Sequence, residues 1–325
     1  MIRYSYVDAS VKEADVHTKE IFERELQLAK DFVTEHLSAN GENIANCPMS
    51  GELRETVFLK KWNQSYSYCP RTWNLSLSNL PDEKIRHDYF FNSELSEFRA
   101  SQDYQQARMA ARKGLWAQQM DWIGGRLSRY GFTENVGLLD WGGRSTTWVD
   151  SLSSLNQVSE VGCTETHAPL SDKDLQANCQ VISMIDVLQR ESNPASLLKK
   201  AYQKLEPGGL LLLTCRNGAG FDIMTMRDFS RTIFPLDHIC LPSPKGLASL
   251  LGACGFEVLE LGTPGLFDVD IVKGDQDLIP KDQVFQKYLF DVADQNELER
   301  LQSFLQQNNL SSHMRAVAKK PGASS

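Results

Sequence analysis

The chain reads as an α/β protein, a mostly parallel sheet with helices on both faces, preceded by an N-terminal helix and a small module. Three stretches carry that reading. Leu205-Glu206-Pro207-Gly208-Gly209-Leu210-Leu211-Leu212-Leu213-Thr214 spells a helix end, a tight turn and a buried strand. Upstream, Leu138-Leu139-Asp140-Trp141-Gly142-Gly143 is an apolar strand running into a glycine turn, which is where such folds place a nucleotide-like ligand. Downstream, Ser243 to Leu261 repeats the sequence of helix, glycine and strand. Strands alternating with helical patterns predict a parallel sheet.

The elements follow in order. Val11 to Leu37 carries Ile21, Phe22, Leu26, Ala29, Phe32, Val33 and Leu37 at helical spacing between charged residues, and predicts an amphipathic helix within residues 1–45. Asn40 to Pro81 loses that period to glycine, proline, asparagine, serine and aromatics, and predicts a loop-rich or β-rich module over residues 46–100. Ser101 to Tyr130 returns to helix, with Leu115, Trp116, Met120, Ile123 and Leu127 on one face and Gly131 as its stop. This helix opens the α/β domain of residues 101–325. Strands are expected at Val136 to Asp140, Gln157 to Thr164 and Gln180 to Asp186. A helix is expected from Pro194 to Leu205, with Asn193 as N-cap and proline at the first helical position. A strand at Leu210 to Cys215 follows, then a helix from Pro244 to Cys254 capped by Ser243 and a strand at Phe256 to Leu261. One helical stretch, Gln283 to Gln307, precedes a last short strand around His313 to Ala318.

Composition bounds the function. The 325 residues, 41% hydrophobic and 23% charged, suit one large or two moderate domains. No window reaches the roughly 20 apolar residues of a membrane span, and the first residues lack the layout of a secretory signal, so a cytoplasmic address is expected. The seven cysteines are scattered, several inside apolar patterns, and read as reduced thiols. A net charge of -8 with dispersed basic residues argues against a surface for phosphate backbones, so neither nucleic acid nor a membrane is an expected partner.

Asp140-Trp141-Gly142-Gly143 closes the first strand of the alternating region, and a turn without Cβ atoms lets backbone N–H groups approach a ligand. An acid at the end of the next strand, Glu165 or Glu160, suits ribose hydroxyls. The same residues also read as an ordinary strand-to-helix turn and a solvated acid.

Taken together, five segments resemble the class I S-adenosylmethionine-dependent methyltransferases, and within them the group that includes sugar C-methyltransferases. They are Leu138 to Gly143, Ile185-Asp186-Val187-Leu188, Leu205 to Gly209, Asp237-His238 with Ser243-Pro244, and Gly255-Phe256-Glu257-Val258. The resemblance spans about Asn135 to Leu261 and implies a Rossmann-like methyltransferase sheet. It implies S-adenosyl-L-methionine as cofactor, held by Asp140, Trp141, Gly142, Gly143, Glu165 and Asp186, and a small-molecule acceptor such as a nucleotide-linked or polysaccharide-precursor sugar. His238 is the implied general base, paired with Asp237. Tyr89, in the run Tyr89-Phe90-Phe91, and His167 are further candidates.

The resemblance reaches upstream, where Cys47-Pro48-Met49-Ser50 and Tyr68-Cys69-Pro70 stand at the family's two zinc knuckles. Each keeps one cysteine, and two thiolates do not close a structural zinc site. The module is therefore expected without metal, held by Phe58, Trp62, Tyr66, Tyr68 and Trp73 as an apolar cluster. Other departures lie in the cofactor loop, where Arg144 and Thr146 stand at glycine positions of the family's first motif. Gln189 and Arg190 replace a common acid and histidine. About 15 residues separate Glu165 from the fourth strand of the family's order, too few for the usual helix and third strand. These departures motivate a second reading, a methyltransferase-like domain that binds a partner without chemistry.

Overall fold

The computed structural model describes residues 19–37, 46–54, 57–142, 146–164 and 179–322, apart from the side chains of residues 19, 22, 109–113, 146 and 147. The chain begins with α1 (Lys19–His36), β1 (Val57–Lys61), β2 (Gln64–Tyr68) and β3 (Leu75–Leu77). Three helices follow, α2 (Glu83–Phe91), α3 (Glu94–Ala100) and α4 (Gln102–Arg129). The α/β region runs β4 (Val136–Trp141), α5 (Thr146–Ser153), β5 (Val158–Thr164), β6 (Cys179–Ile185), α6 (Pro194–Lys204), β7 (Leu205–Arg216) and α7 (Phe221–Met226). It ends with β8 (Cys240–Leu241), α8 (Pro244–Ala253), β9 (Glu257–Gly262), α9 (Asp268–Gly274), α10 (Val284–Val292), α11 (Gln295–Gln307) and β10 (His313–Lys319).

The main sheet has the order β5-β4-β6-β7-β10-β9. β4, β5, β6 and β7 are parallel, and β10 inserts antiparallel between β7 and β9. The run Leu210-Leu211-Leu212-Leu213 shows why the strand is continuously apolar. Leu210 and Leu212 pack with Trp122, Ile123 and Leu127 of α4 and Trp148 of α5. Leu211 and Leu213 pack on the other face with Leu197 and Leu198 of α6 and Leu247 and Leu250 of α8. A strand covered on both faces needs apolar side chains at both parities.

Several boundaries differ from expectation. β7 starts at Leu205, five residues early, because the chain stays paired through the glycines: Leu205 lies opposite Cys179, and the register then shifts so that Leu210 lies opposite Val181. Gly208 takes φ +86, and a Cβ on Gly209 would come within 2.8 Å of the Gln180 carbonyl oxygen, so this bulge needs both glycines. The helical stretch of residues 283–307 is two helices. Asp294 interrupts it and caps α11 in a capping box with Glu297, so the local cap outcompetes continuation of α10. The part of the expected first helix before Lys19 lies outside the described residues. The expected short sheet edge, residues 165–178, lies outside them too; β5 is the edge strand among those described.

The segment of residues 46–100 does not close on itself. Its sheet has the order β1-β2-β3-β8, so the last strand comes from Cys240–Leu241, far downstream. Its second half is helical, with Ser93 and Ser96 forming a capping box on α3. The two knuckle turns meet: Ser50 Oγ stands 3.6 Å from Cys69 Sγ, and Asn74 Nδ2 donates to Cys47 Sγ. Among the described residues no group of three or more His, Cys, Asp or Glu is placed to hold a metal ion. The aromatics divide. Phe58, Tyr66 and Tyr68 share one core cluster, with Trp73 stacked on Tyr68 and the Tyr66 hydroxyl donating to the His238 carbonyl, whereas Trp62 packs on Phe234.

Asn74 joins this sheet to the α/β domain. Its Oδ1 accepts from Ser243 N–H, while Ser243 Oγ accepts from Gly246 N–H to cap α8 and donates to the Thr72 carbonyl. A Cβ at Gly246 would stand 1.7 Å from Asn74 Oδ1. Alanine in place of a helical glycine ordinarily stabilises by about 1 kcal/mol. Here Gly246→Ala is expected to destabilise by about 2–4 kcal/mol in urea denaturation, because it displaces Asn74. A neutral or stabilising result would contradict the junction.

Candidate active site

The C-terminal ends of β4, β5, β6 and β7 form one rim. β5 follows β4 in the chain and lies on one side of it, while the next described strand, β6, lies on the other, and at such a switch point the crevice between strands is open. Under the rim Asp140 is 1% exposed, its Oδ1 accepting from Trp148 Nε1–H and Ser183 Oγ–H. Trp141 is likewise buried, and Gly142 N–H donates to the Thr164 carbonyl. These contacts bind β4, β5, β6 and α5 together beneath the loop. Gly143, Glu165 and His167 lie outside the described residues.

Asp186 closes β6 in the left-handed region at φ +58, a strained backbone for a residue with a Cβ and one that clusters at functional sites. Its side chain is 26% exposed. Thr214 Oγ1 donates to its Oδ1 at 3.0 Å, and His313 Nε2 lies 3.3 Å from the same oxygen. No sequence signal marked His313, since it opens the last strand and reaches Asp186 across β7.

Asp237, His238 and Tyr89 do come together, in an arrangement that adjacency in the chain conceals. Asp237 is buried and does not hold the His238 ring. Its Oδ2 accepts from Tyr89 Oη–H at 2.7 Å and from Arg99 Nη2–H at 2.8 Å, and Arg190 Nε stands 3.8 Å from Oδ1. Arg99 in turn donates through Nε to Glu25 Oε1 at 2.9 Å, where Tyr104 Oη–H also donates. Burial alone would raise the Asp237 pKa, but Arg99 and Arg190 outweigh it and hold the carboxyl well below its usual range. Burial, reinforced by Asp237, pushes the Tyr89 phenol well up, so Tyr89 is a fixed donor. Sequence reasoning missed Arg99 and Glu25 because neither stands in a motif.

His238 Nδ1 accepts from the Phe234 backbone N–H at 3.0 Å, so the neutral ring carries its hydrogen on Nε2. Burial lowers its pKa to about 3, with Arg216 and Arg190 adding to the shift against Asp237 and Asp186. A ring whose one lone pair is occupied is a donor as it stands. Gln189 and Arg190, at the departure from the family pattern, have visible roles. Gln189 Oε1 accepts from Arg216 N–H and its carbonyl from Ile239 N–H, tying β7 to the His238 loop. The Arg190 guanidinium lies over the Phe90 ring.

A parallel sheet with its crevice at a strand-order switch defines an α/β domain of the class that binds nucleotide-like cofactors. Residues 94–261, more than half of the chain, match the family model of a methyltransferase domain, and the chain belongs to this family of class I S-adenosylmethionine-dependent methyltransferases. Solved structures similar to it include a putative sarcosine dimethylglycine methyltransferase from Galdieria sulphuraria, at 12% identity over 68% of this chain and 91% of that one, TM-score 0.42. Another is the plantazolicin methyltransferase BamL in complex with a triazolic desmethylPZN analog and SAH, at 13% identity over 73% and 95%, TM-score 0.39. A third is a SAM-dependent methyltransferase from Archaeoglobus fulgidus, at 13% identity over 62% and 94%, TM-score 0.38. The assignment rests on the domain match and not on these likenesses. A search of curated proteins gave no match. Among the described residues no helix is long and apolar enough to cross a membrane.

The protein is thus a methyltransferase with S-adenosylmethionine as cofactor. The described rim suits that group. α5 begins at Thr146, just beyond the loop after Gly142, and unpaired N–H groups at a helix start suit a carboxylate. Asp186 offers a reachable carboxylate for an ammonium, whereas Asp140 braces the loop from below.

The neutral imidazole has a consequence for stability. Below the ordinary histidine pKa of 6.5 the unfolded chain binds a proton that the folded ring refuses until about pH 3, so stability falls as pH falls through that window. Urea denaturation at about pH 7.5 and about pH 5 should show a smaller loss for His238→Gln than for the unaltered protein. Equal losses would contradict a buried neutral ring.

Proposed function

We propose that this methyltransferase acts on a small anionic acceptor, a nucleotide-linked or polysaccharide-precursor sugar, at the rim where β6 and β7 end. The observation that carries this reading is the charge around His238. Burial sets the low pKa of that ring and Arg216 and Arg190 add to it; Arg216 is paired with Asp222 at 2.7 Å, whereas Arg190 is one-third exposed. An exposed guanidinium near a neutral donor suits a diphosphate or carboxylate next to hydroxyl groups.

When bound, S-adenosylmethionine supplies an electrophilic methyl on a sulfonium. In this reading Gly142, Gly143, Glu165 and Asp186 hold it, with Asp140 and Trp141 supporting the loop. The chain must then orient the acceptor and receive its proton. His238 donates through Nε2 to the acceptor, and Tyr89 and Asp237 fix the loop that carries His238. The released proton passes to His313: donation from Nε2 to Asp186 leaves Nδ1 as the basic nitrogen, the orientation that a carboxylate imposes on a catalytic histidine.

Calorimetric titration tests the reading in two stages. S-adenosylhomocysteine is expected to bind with a Kd in the micromolar range, and Gly142→Val to abolish binding. In the presence of S-adenosylhomocysteine, uridine diphosphate is expected to bind and to lose about tenfold or more in affinity in Arg190→Ala. No S-adenosylhomocysteine binding at millimolar concentration would favour a domain without chemistry. Uridine diphosphate binding that is absent, or unchanged by Arg190→Ala, would remove the anionic acceptor.

A further inference from the structure

α10 carries a feature that the methyl-transfer site does not use. Its inner side is anchored, with Phe290 buried against Val269 and Val272 of α9 and Leu298 and Leu305 of α11. Its outer side is apolar and open: Val284, Phe285, Tyr288 and Val292 are 69%, 70%, 65% and 55% exposed. At 100° per residue these four positions fall within an arc about 100° wide. Leu278, 43% exposed, sits in the turn before α10, which Lys287 Nζ ties to the helix through the Ile279 carbonyl. Together these side chains leave roughly 500 Å² of apolar surface open, a patch of the size that marks an interaction site on a monomer.

Two observations say what covers it. The first is area. An isologous contact buries the patch on both copies, roughly 1,000 Å² of apolar surface, which is the apolar share of a homodimer interface of about 1,600 Å². The second is charge. One border of the apolar arc carries Lys287 and Asp291, both exposed and one helical turn apart. A two-fold axis normal to an antiparallel helix pair sets this border against itself in reverse order. Each Lys287 then meets Asp291 of the other copy, so the border is self-complementary, as an isologous contact requires. A border with one charge of each sign has no excess of basic residues to draw it to an anionic membrane.

We propose that two copies of this chain associate through α10, packed antiparallel about a two-fold axis, with Tyr288 next to the axis, Phe285 one turn from it and Lys287–Asp291 pairs along the border. Sedimentation velocity on the full chain from ~1 to ~100 µM tests it. The unaltered protein is expected to sediment as a dimer. Phe285→Glu and Tyr288→Glu, at exposed positions where the fold does not need the ring, are expected to give monomers with unchanged circular dichroism. Lys287→Glu is expected to weaken the dimer about fivefold or more, and Lys287→Glu with Asp291→Lys to restore it. A monomer throughout the range, or a dimer that survives Phe285→Glu, would overturn the proposal. So would failure of the double exchange to restore association, or co-flotation of a monomer with phosphatidylcholine vesicles.

Discussion

Arg99 is the charge on which the layers of this molecule close. It stands between two buried carboxylates, Glu25 on α1 and Asp237 on the loop before β8, on which Arg108 and Arg190 act as well. Deleting its guanidinium would strand buried negative charge, a loss of about 3–5 kcal/mol for a buried pair broken from one side. The apolar contacts of the same region run along the same seam, with Ala29, Val33, Tyr89 and Leu95 packed on Phe234 and Leu236. The N-terminal helices are therefore fastened to the loop that carries His238.

The rim divides into a half that is rigid and a half that is charged. At β4 the polar groups serve structure, with Asp140 Oδ1 bonded from α5 and β6. At β6 and β7 they remain within reach of a ligand, with Asp186 strained and partly exposed beside His313 and with Arg190 one-third exposed. The end of β4 and the His238 loop are thus held by separate networks. Substitutions in one need not disturb the other.

Local signals mark most strands of the main sheet and its capped helices. Asn193 and Ser243 cap α6 and α8 where the pattern placed them, because a cap needs only the next three residues. The capping box of Asp294 and Glu297 was equally local, yet the apolar period running across it hid it. What a single sequence does not display is contact between distant residues. Arg99 and Asp237 are 138 positions apart, and β8 is too short to announce itself as the strand that completes the N-terminal sheet. The resemblance implies Asp237-His238 as a working pair, but the two side chains part. The carboxylate turns to Arg99 and Tyr89, the ring turns to its own backbone at Phe234, and the carboxylate within reach of a histidine is Asp186, beside His313.

The central claim is that Arg99 couples the N-terminal helix to the His238 loop, and amide hydrogen exchange on Arg99→Met measures it most directly. Protection is predicted to fall together in α1 and in residues 234–239 while β6 and β7 keep theirs, since their ladder does not involve Arg99. A loss confined to the neighbours of residue 99 on α3, with α1 and the loop unchanged, would contradict the account.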